Sequence, residues 1–165
     1  MRKIILTLFI SILLVNFSCT ESSDNNPKTP QDIIDKSLAH FNGNVIEQSF
    51  EQEEGVDSWE IKIANEHGAE VKFYWSTNGQ FLIKMEGLNG PFDYDIMPGN
   101  GLINFSTANK FAKGAVKNES IIKWRLKQEE EFIGNWVYTF EFLDKNGGSS
   151  KVYIDASNGD ILEIK

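Results

Sequence analysis

Apolar and polar residues alternate in short segments at corresponding places in the two halves of the chain. The alternation begins at Trp59 in the first half and at Trp136 in the second, and both tryptophans follow a Gln-Glu-Glu triplet, at 52–54 and 128–130. The apolar residues then recur at every second position: Trp59, Ile61 and Ile63, and Trp136, Tyr138, Phe140 and Phe142. A period of two is typical of strands with one buried face. The pattern therefore predicts an internal repeat built from strands.

A second alternating segment in each half ends at an Asn-Gly pair. Its apolar residues stand at 71, 73 and 75 in the first half and at 152, 154 and 156 in the second. The pairs that follow are Asn78-Gly79 and Asn158-Gly159, 80 positions apart. Because Asn and Gly both tolerate positive φ, Asn-Gly between alternating segments predicts a tight hairpin.

Each half also opens with a predicted helix. Thr29 is a suitable N-cap residue, Pro30 suits the first turn and Asp32 the third position, and apolar residues at 34, 38 and 41 share one face. A second helix is predicted to begin at Ser106, with apolar residues at 108, 111, 112 and 115. The first strands are predicted at about 45–51 and 121–127, the latter with Ile122, Trp124 and Leu126 on its apolar face.

These elements predict an α+β protein made of two tandem units. In each unit one helix packs on one face of a four-stranded antiparallel sheet. The first unit spans 30–87, the second spans 105–165, and residues 88–104 join them, with Phe92 and Tyr94 expected to pack across the boundary. A single lipocalin-like barrel of eight strands with a ligand cavity is the alternative. The helix predicted in mid-chain disfavours it, because up-and-down barrels join neighbouring strands by hairpins.

The last hairpin reads Val-Tyr-Ile-Asp-Ala-Ser-Asn-Gly-Asp-Ile-Leu at 152–162 and resembles the PepSY family. Two such units in tandem are similar to the PepSY-like proteins of Bacteroidetes, whose architecture resembles the β-lactamase inhibitor protein. The first half departs from the pattern, because Trp75 stands where Asp155 stands and its last strand has a different apolar phase. The resemblance implies a binding or inhibitory role outside the cytoplasm, with peptidases as the suggested targets.

Residues 1–18 have the features of a secretion signal, with Arg2-Lys3, an apolar run from Ile4 to Val15 and a small Ser18. Cys19 follows directly, which resembles a bacterial lipoprotein signal and predicts acylation of Cys19. A plain signal peptide and an uncleaved anchor are the alternatives, and the apolar run is short for a membrane span. The polar residues 19–29 are predicted to be a flexible tether. The expected location is the cell envelope, on the periplasmic or the surface side of the outer membrane.

The charge of the chain limits its partners. Removal of residues 1–18 takes away Arg2 and Lys3 and no acid, which leaves 14 basic and 24 acidic residues and a formal charge of −10. Such a chain does not attract nucleic acid. Its many aromatic residues, including four tryptophans and twelve phenylalanines, predict a packed core.

If the helices cover one side of the sheet, the other side faces solvent. Ten residues are expected there: Glu60, Lys62, Lys72, Tyr74, Lys123, Arg125, Thr139, Glu141, Lys151 and Tyr153. Tyrosine and arginine are enriched in recognition surfaces. We therefore predict a partner-binding surface that contains Lys72, Tyr74, Lys123, Arg125 and Tyr153. The alternative is that these side chains only solvate the sheet.

No set of residues in the sequence predicts catalysis, a metal site or a cofactor. His40 and His67 have no second ligand at metal-binding spacing, and Asp93 and Asp95 are expected to be solvated residues of the connecting segment. The leading hypothesis is a lipid-anchored, non-enzymatic module whose partner is a protein. An envelope hydrolase, or a small-ligand binder with a groove lined by its four tryptophans, is the alternative.

Overall fold

The computed structural model describes residues 29–53, 55–116 and 120–165. The predicted signal peptide at 1–18, most of the predicted tether and the predicted lipidation site Cys19 lie outside these residues. The first half contains α1 (Pro30–His40), β1 (Asn44–Glu53), β2 (Val56–Ala64), β3 (Glu70–Ser76) and β4 (Leu82–Asn89). The second half contains α2 (Phe105–Ala115), β5 (Ser120–Glu129), a short 3-10 helix (Glu130–Phe132), β6 (Asn135–Leu143), β7 (Ser149–Asp155) and β8 (Ile161–Ile164).

The described strands form one antiparallel sheet of eight strands in chain order. The predicted mixture of helices and antiparallel strands is confirmed, but the two halves do not have separate sheets. β4 pairs with β5, and Lys84 to Gly87 lie opposite Lys127 to Trp124. We call this pairing the seam. β1 and β8 are the two edges of the sheet and do not pair with each other, so the lipocalin-like barrel alternative is wrong.

Both helices begin with side-chain caps. The Thr29 hydroxyl accepts a hydrogen bond from the backbone N–H of Asp32, whose side chain accepts one from the N–H of Thr29. This capping box agrees with the sequence prediction. α2 begins at Phe105, one residue before the predicted start, because the side chain of Asn104 caps it by accepting a hydrogen bond from Thr107 N–H.

The hydrophobic core lies between the helices and one face of the sheet. Its largest fully buried side chains include Trp124, Tyr138, Phe73, Phe105 and Phe140. α1 packs on β2, and α2 packs on β6 and β7. Neither of the two described α-helices packs on the opposite face of the sheet, which we call the open face.

The two halves share their strand irregularities. β1 has a bulge between Val45 and Glu47, and β5 has one between Ile121 and Lys123. The bulge leaves the intervening isoleucine exposed, and in β5 this isoleucine is Ile122, at 43%. Ile121 packs against the core instead, so the predicted place of Ile122 on the apolar face is wrong, whereas Trp124 and Leu126 are buried there as predicted.

A second pair of matching bulges lies in β4 and β8. Trp75 lies opposite Leu82 while Tyr74 lies opposite Lys84, so Ile83 is the extra residue. In β8 the extra residue is Leu162. Ile83 therefore corresponds to Leu162 and Met85 to Ile164, 79 positions apart, so the last strands of the two halves have the same phase. The different phase expected from the sequence arose because the Asn-Gly pairs, on which the halves were aligned, are 80 positions apart.

The strand registers change one correspondence proposed from sequence. Phe50 lies opposite Trp59 in the first half, and Leu126 lies opposite Tyr138 in the second. Because β1 and β5 carry the same bulge, Trp59 corresponds to Tyr138 and not to Trp136. The difference arises between the strands: β2 begins three positions after β1 ends, whereas β6 begins six positions after β5 ends, with the 3-10 helix in between.

The segment between β4 and α2 packs against both halves, as expected for its aromatic residues. The Tyr94 ring lies 5.1 Å from Phe41 and 5.0 Å from Phe105. Its hydroxyl accepts a hydrogen bond of 2.7 Å from the indole N–H of Trp124. The Asn109 side chain donates to the carbonyl of Phe92. This segment therefore belongs to the same core as the two helices.

Candidate functional site

The strand registers place all ten residues expected opposite the helices on the open face. Neighbouring members lie directly across from one another, for example Glu60 opposite Tyr74 and Arg125 opposite Thr139. The seam adds two residues that the sequence did not identify, Lys84 and Glu86. Met85, which is buried in the core between them, was the available signal, because successive residues of a strand point to opposite faces of the sheet.

The centre of the open face is a hydrogen-bonded charge cluster. The Tyr74 hydroxyl donates to Glu86 Oε1 at 2.8 Å, and Lys84 Nζ lies 3.8 Å from the centre of the Tyr74 ring. Lys123 Nζ lies 3.3 Å from the second carboxylate oxygen of Glu86. Tyr74, Lys84 and Glu86 are only 3%, 4% and 7% exposed. A charged group at this depth is stable only with such partners.

The ionisation of Glu86 reflects these partners. Burial by itself raises the pKa of the carboxyl group, but the Tyr74 hydroxyl and the positive charges of Lys84 and Lys123 outweigh burial. The pKa of Glu86 is therefore lowered, and the group is ionised at neutral pH. The centre of the face holds a fixed negative charge between two cations.

A second buried carboxylate organises the part of the face that lies in the first half. Glu60, at 3% exposure, pairs with Lys72 Nζ at 2.5 Å. Burial acts to lower the pKa of Lys72, but the hydrogen bond and charge of Glu60 outweigh it, so the pKa is raised. Lys62 pairs with Glu70 at 2.9 Å. The cations here are held by acids of the same sheet.

Further pairs surround the second half of the face. Arg125 bonds Glu129 at 2.9 Å, and Lys151 lies 3.3 Å from Glu141. Tyr153 lies between the Phe132 ring, at 5.3 Å, and Lys165, whose Nζ is 4.9 Å from the Tyr153 ring. The 3-10 helix thus brings Phe132 onto the open face.

The five residues predicted for partner binding therefore differ in accessibility. Tyr74 is buried, and Lys72 keeps 19% of its side chain exposed. Lys123 and Arg125 keep 38% and 31%, and Tyr153 is half-buried. The expectation that the whole face is solvent-exposed is wrong for Tyr74, because Lys84 covers its ring. Glu60 and Thr139 are buried as well.

Some polar atoms of this face are buried without a hydrogen-bond partner among the described residues. They are Ser49 Oγ, Ser58 Oγ, Arg125 Nε and Thr139 Oγ1. Buried polar atoms without partners are uncommon in folded proteins. They leave the open face with hydrogen-bonding capacity that its own side chains do not use.

On the helix side, a groove of about 700 Å³ lies at the end of the seam. Its walls include Trp75, Trp136, Phe81 and His40. The indole N–H of Trp75 donates to Ser37, whereas that of Trp136 has no partner in the described part of the chain. Of the four tryptophans expected to line a groove, two do so. Trp124 is fully buried and Trp59 packs against Phe50.

The remaining candidate residues have structural contacts. His40 Nδ1 donates to the Met97 carbonyl at 2.6 Å, and His67 lies in an exposed turn beside Glu66. Asp95 accepts hydrogen bonds from Ser106 N–H and the Asn104 side chain at the start of α2. No group of metal-binding side chains occurs within the described ranges.

Comparison with known proteins gives one family and one solved structure. The family model "Peptidase propeptide and YPEB domain" (PepSY) matches residues 27–74 and 103–165. A crystal structure of a candidate lipoprotein from Clostridium difficile 630 is similar at 17% identity and a TM-score of 0.39, covering 88% of this chain and 95% of that one. No curated protein matches the chain.

None of the helices in the described residues is long and apolar enough to cross a membrane.

The two segments that match the family model include the first helix and strands of each half. The second segment extends to the final hairpin at 152–162, whose sequence resembles the family. Together these segments cover more than half of the chain, which belongs to the PepSY family.

Proposed function

We propose that this chain is a lipid-anchored, non-enzymatic binding module of the bacterial cell envelope. Its two halves are two PepSY-like units joined into one sheet, and its partner is a protein, such as a peptidase, that it inhibits or regulates. The contact surface is the open face. Lys123, Arg125 and Tyr153 provide the accessible part of that surface, and Lys72 and Tyr74 support it from below.

The observation that carries this proposal is the composition of the open face. It combines partly exposed cations with tyrosines, and neither α-helix of the described residues lies on it. A partner that covers this face can pair with Lys123 and Arg125, whose side chains remain partly exposed, and can pack on the half-buried Tyr153. The family description, a peptidase propeptide domain, supports a peptidase as the class of partner.

The accessible cations suggest an acidic patch on the partner. Lys123 and Lys151 keep 38% and 49% of their side chains exposed although each lies near an acid. A carboxylate of the partner can pair with each of these lysines in addition to the acid of this chain, and the second pairing stabilises the complex. Such contacts are screened by salt, so the complex should weaken as ionic strength rises.

A pull-down from the native envelope tests the open face with a matched control. The variant Lys123→Ala with Arg125→Ala removes two cations from the open face. Lys110→Ala with Lys113→Ala removes two exposed cations from α2 on the helix side. We expect the first variant to lose the partner and the second to retain it, with both still folded. Equal recovery by the two variants contradicts the proposed surface.

The groove beside Trp136 supports a second candidate function, the binding of a small apolar ligand. Its aromatic walls suit an uncharged aromatic molecule, and the indole N–H of Trp136 can donate to one hydrogen-bond acceptor on that molecule. Titration with a naphthalene dye tests this possibility. Trp136→Ala should abolish dye binding and Trp59→Ala, outside the groove, should preserve it. Unchanged binding by Trp136→Ala excludes the groove.

A further inference from the structure

The edge strand β1 has one side that pairs with β2 and one side without a neighbouring strand. After the bulge at Ile46, residues 47–53 run in regular register along β2. An edge of this length presents backbone N–H and C=O groups to any extended chain that approaches it. Natural proteins often shorten or cover such edges, but no described helix or strand covers this one.

The second half of the molecule contains a strand with the same geometry as β1 whose corresponding edge is paired. β5 corresponds to β1, because both carry the same bulge and the same register with the strand that follows. The edge of β5 that corresponds to the open edge of β1 is filled by β4 at the seam. The same backbone geometry therefore already accepts an antiparallel strand elsewhere in this chain.

Burial at corresponding positions supports the comparison. Leu126 in β5 lies opposite Met85 of β4 and is completely buried. Its counterpart in β1 is Phe50, which is 51% exposed and whose ring centre lies 5.2 Å from that of Trp59. A strand added to β1 would cover Phe50 as β4 covers Leu126.

Charge indicates the chemistry of the added strand. β1 carries three glutamates and no basic residue. Glu47 and Glu51 are exposed on the open-face side, and neither forms an ion pair with another described residue. Between them, Ser49 Oγ is buried and has no hydrogen-bond partner among the described residues. A strand with lysine or arginine at alternate positions would place cations opposite these carboxylates.

The same charges disfavour a second copy of this chain as the occupant. β8 corresponds to β4, since both carry the same bulge, and Glu163 corresponds to Lys84. β8 of another copy, docked in the register of the seam, would place Glu163 opposite Glu51. The seam tolerates Lys84 opposite Lys127 because Lys84 lies over Tyr74 and Lys127 lies near Glu129. Glu51 has no such partner in the described structure.

We propose that the open edge of β1 is a strand-addition site for an extended, basic segment of a partner protein. The partner contributes backbone hydrogen bonds to residues 47–53, an apolar side chain over Phe50 and cations against Glu47 and Glu51. This site is separate from the open-face contact and does not depend on it. The two can therefore fail independently.

The probe for this site is a capped peptide of about ten residues in which lysine alternates with valine. A twin with glutamate in place of lysine has the opposite charge. Fluorescence anisotropy should show that the parent protein binds the basic peptide and not the acidic one, with weaker binding at high salt. The variant Glu47→Lys with Glu51→Lys should weaken binding of the basic peptide at least about tenfold.

The control variant Asp93→Lys with Glu130→Lys changes the net charge equally at two exposed acids away from this edge and should bind like the parent. Two isomeric peptides, N-methylated on alternate amides, test the backbone contact. One isomer should lose binding and the other keep it, because only one edge of the peptide pairs. The proposal is overturned if both isomers bind alike or if the Glu47 and Glu51 variant binds like the parent. The proposal is also overturned if the protein forms a dimer in solution and the basic peptide does not dissociate that dimer.

Discussion

Replacement of Gly87 by alanine tests whether the two halves share one sheet and one core. A Cβ atom at this position would lie 2.0 Å from Nε1 of Trp124 and 2.6 Å from the Tyr94 hydroxyl. Trp124 is fully buried and its ring lies 4.7 Å from that of Phe105, so it has little room to move. Overpacking of a core costs about 1–3 kcal/mol, and loss of the Trp124–Tyr94 hydrogen bond adds about 1 kcal/mol.

We therefore expect Gly87→Ala to lower the free energy of unfolding by about 2–4 kcal/mol. The matched control is Gly114→Ala in α2, where an added Cβ meets nothing within 4 Å. Alanine is the better helix former, so this variant should gain up to about 0.5–1 kcal/mol. The same chemical change thus has opposite effects at the two positions.

Urea unfolding followed by tryptophan fluorescence measures both variants under identical conditions. The expected order of midpoints is Gly114→Ala, then the parent, then Gly87→Ala. If Gly87→Ala unfolds at the same urea concentration as the parent, Trp124 does not lie over Gly87. In that case β4 and β5 do not pair as described, and the halves are separate units.

Three further predictions concern the core, the charge cluster and the anchor. Trp124→Ala should cost about 3–5 kcal/mol in urea unfolding, and Trp59→Ala clearly less, because Trp59 is only partly buried; equal losses contradict the burial pattern. Because the folded-state pKa of Glu86 is below 4.5, its ionised form stabilises the fold above that pH and the contribution is lost as pH falls further. Glu86→Gln should therefore reduce the stability difference between about pH 7 and about pH 3, and an unchanged difference refutes this. Cys19→Ala should move the protein from the detergent phase to the aqueous phase, and unchanged partition refutes lipidation.

Local chemistry made the turns and the first helix cap predictable. Asn78 Oδ1 accepts the backbone N–H of Gln80, and Asn158 Oδ1 accepts that of Asp160 in the same way. Such bonds depend on a few neighbouring residues, so the sequence pattern reveals them. The same holds for the Thr29 capping box, which needs only residues 29–32.

The bulges and the seam could not be predicted in this way. The phase change at Ile122 and at Ile83 depends on pairing with another strand, and each isoleucine directly follows a residue that is just as apolar, Ile121 or Leu82. Pairing of β4 with β5 depends on residues that are about 40 positions apart. Gly87 was the available signal, since glycine in a strand often marks close approach of another group.

Alternation identified the side of the sheet on which Tyr74 lies but not its burial. Burial there depends on Lys84, whose side chain covers the Tyr74 ring from the neighbouring strand. Tyr74→Ala is therefore a poor probe of partner binding, because it would leave Glu86 without its hydrogen-bond donor. Lys123 and Arg125 are better positions for functional tests because they are more exposed.

Site-specific photocrosslinking in the native envelope tests the open-face contact most directly. A photoreactive amino acid replaces Lys151 on the open face in one variant and Lys110 on the helix side in another; both positions are exposed. If the open face binds a protein, the variant at 151 forms a covalent adduct with that partner and the variant at 110 does not. An adduct from position 110 together with none from position 151 contradicts the proposed function.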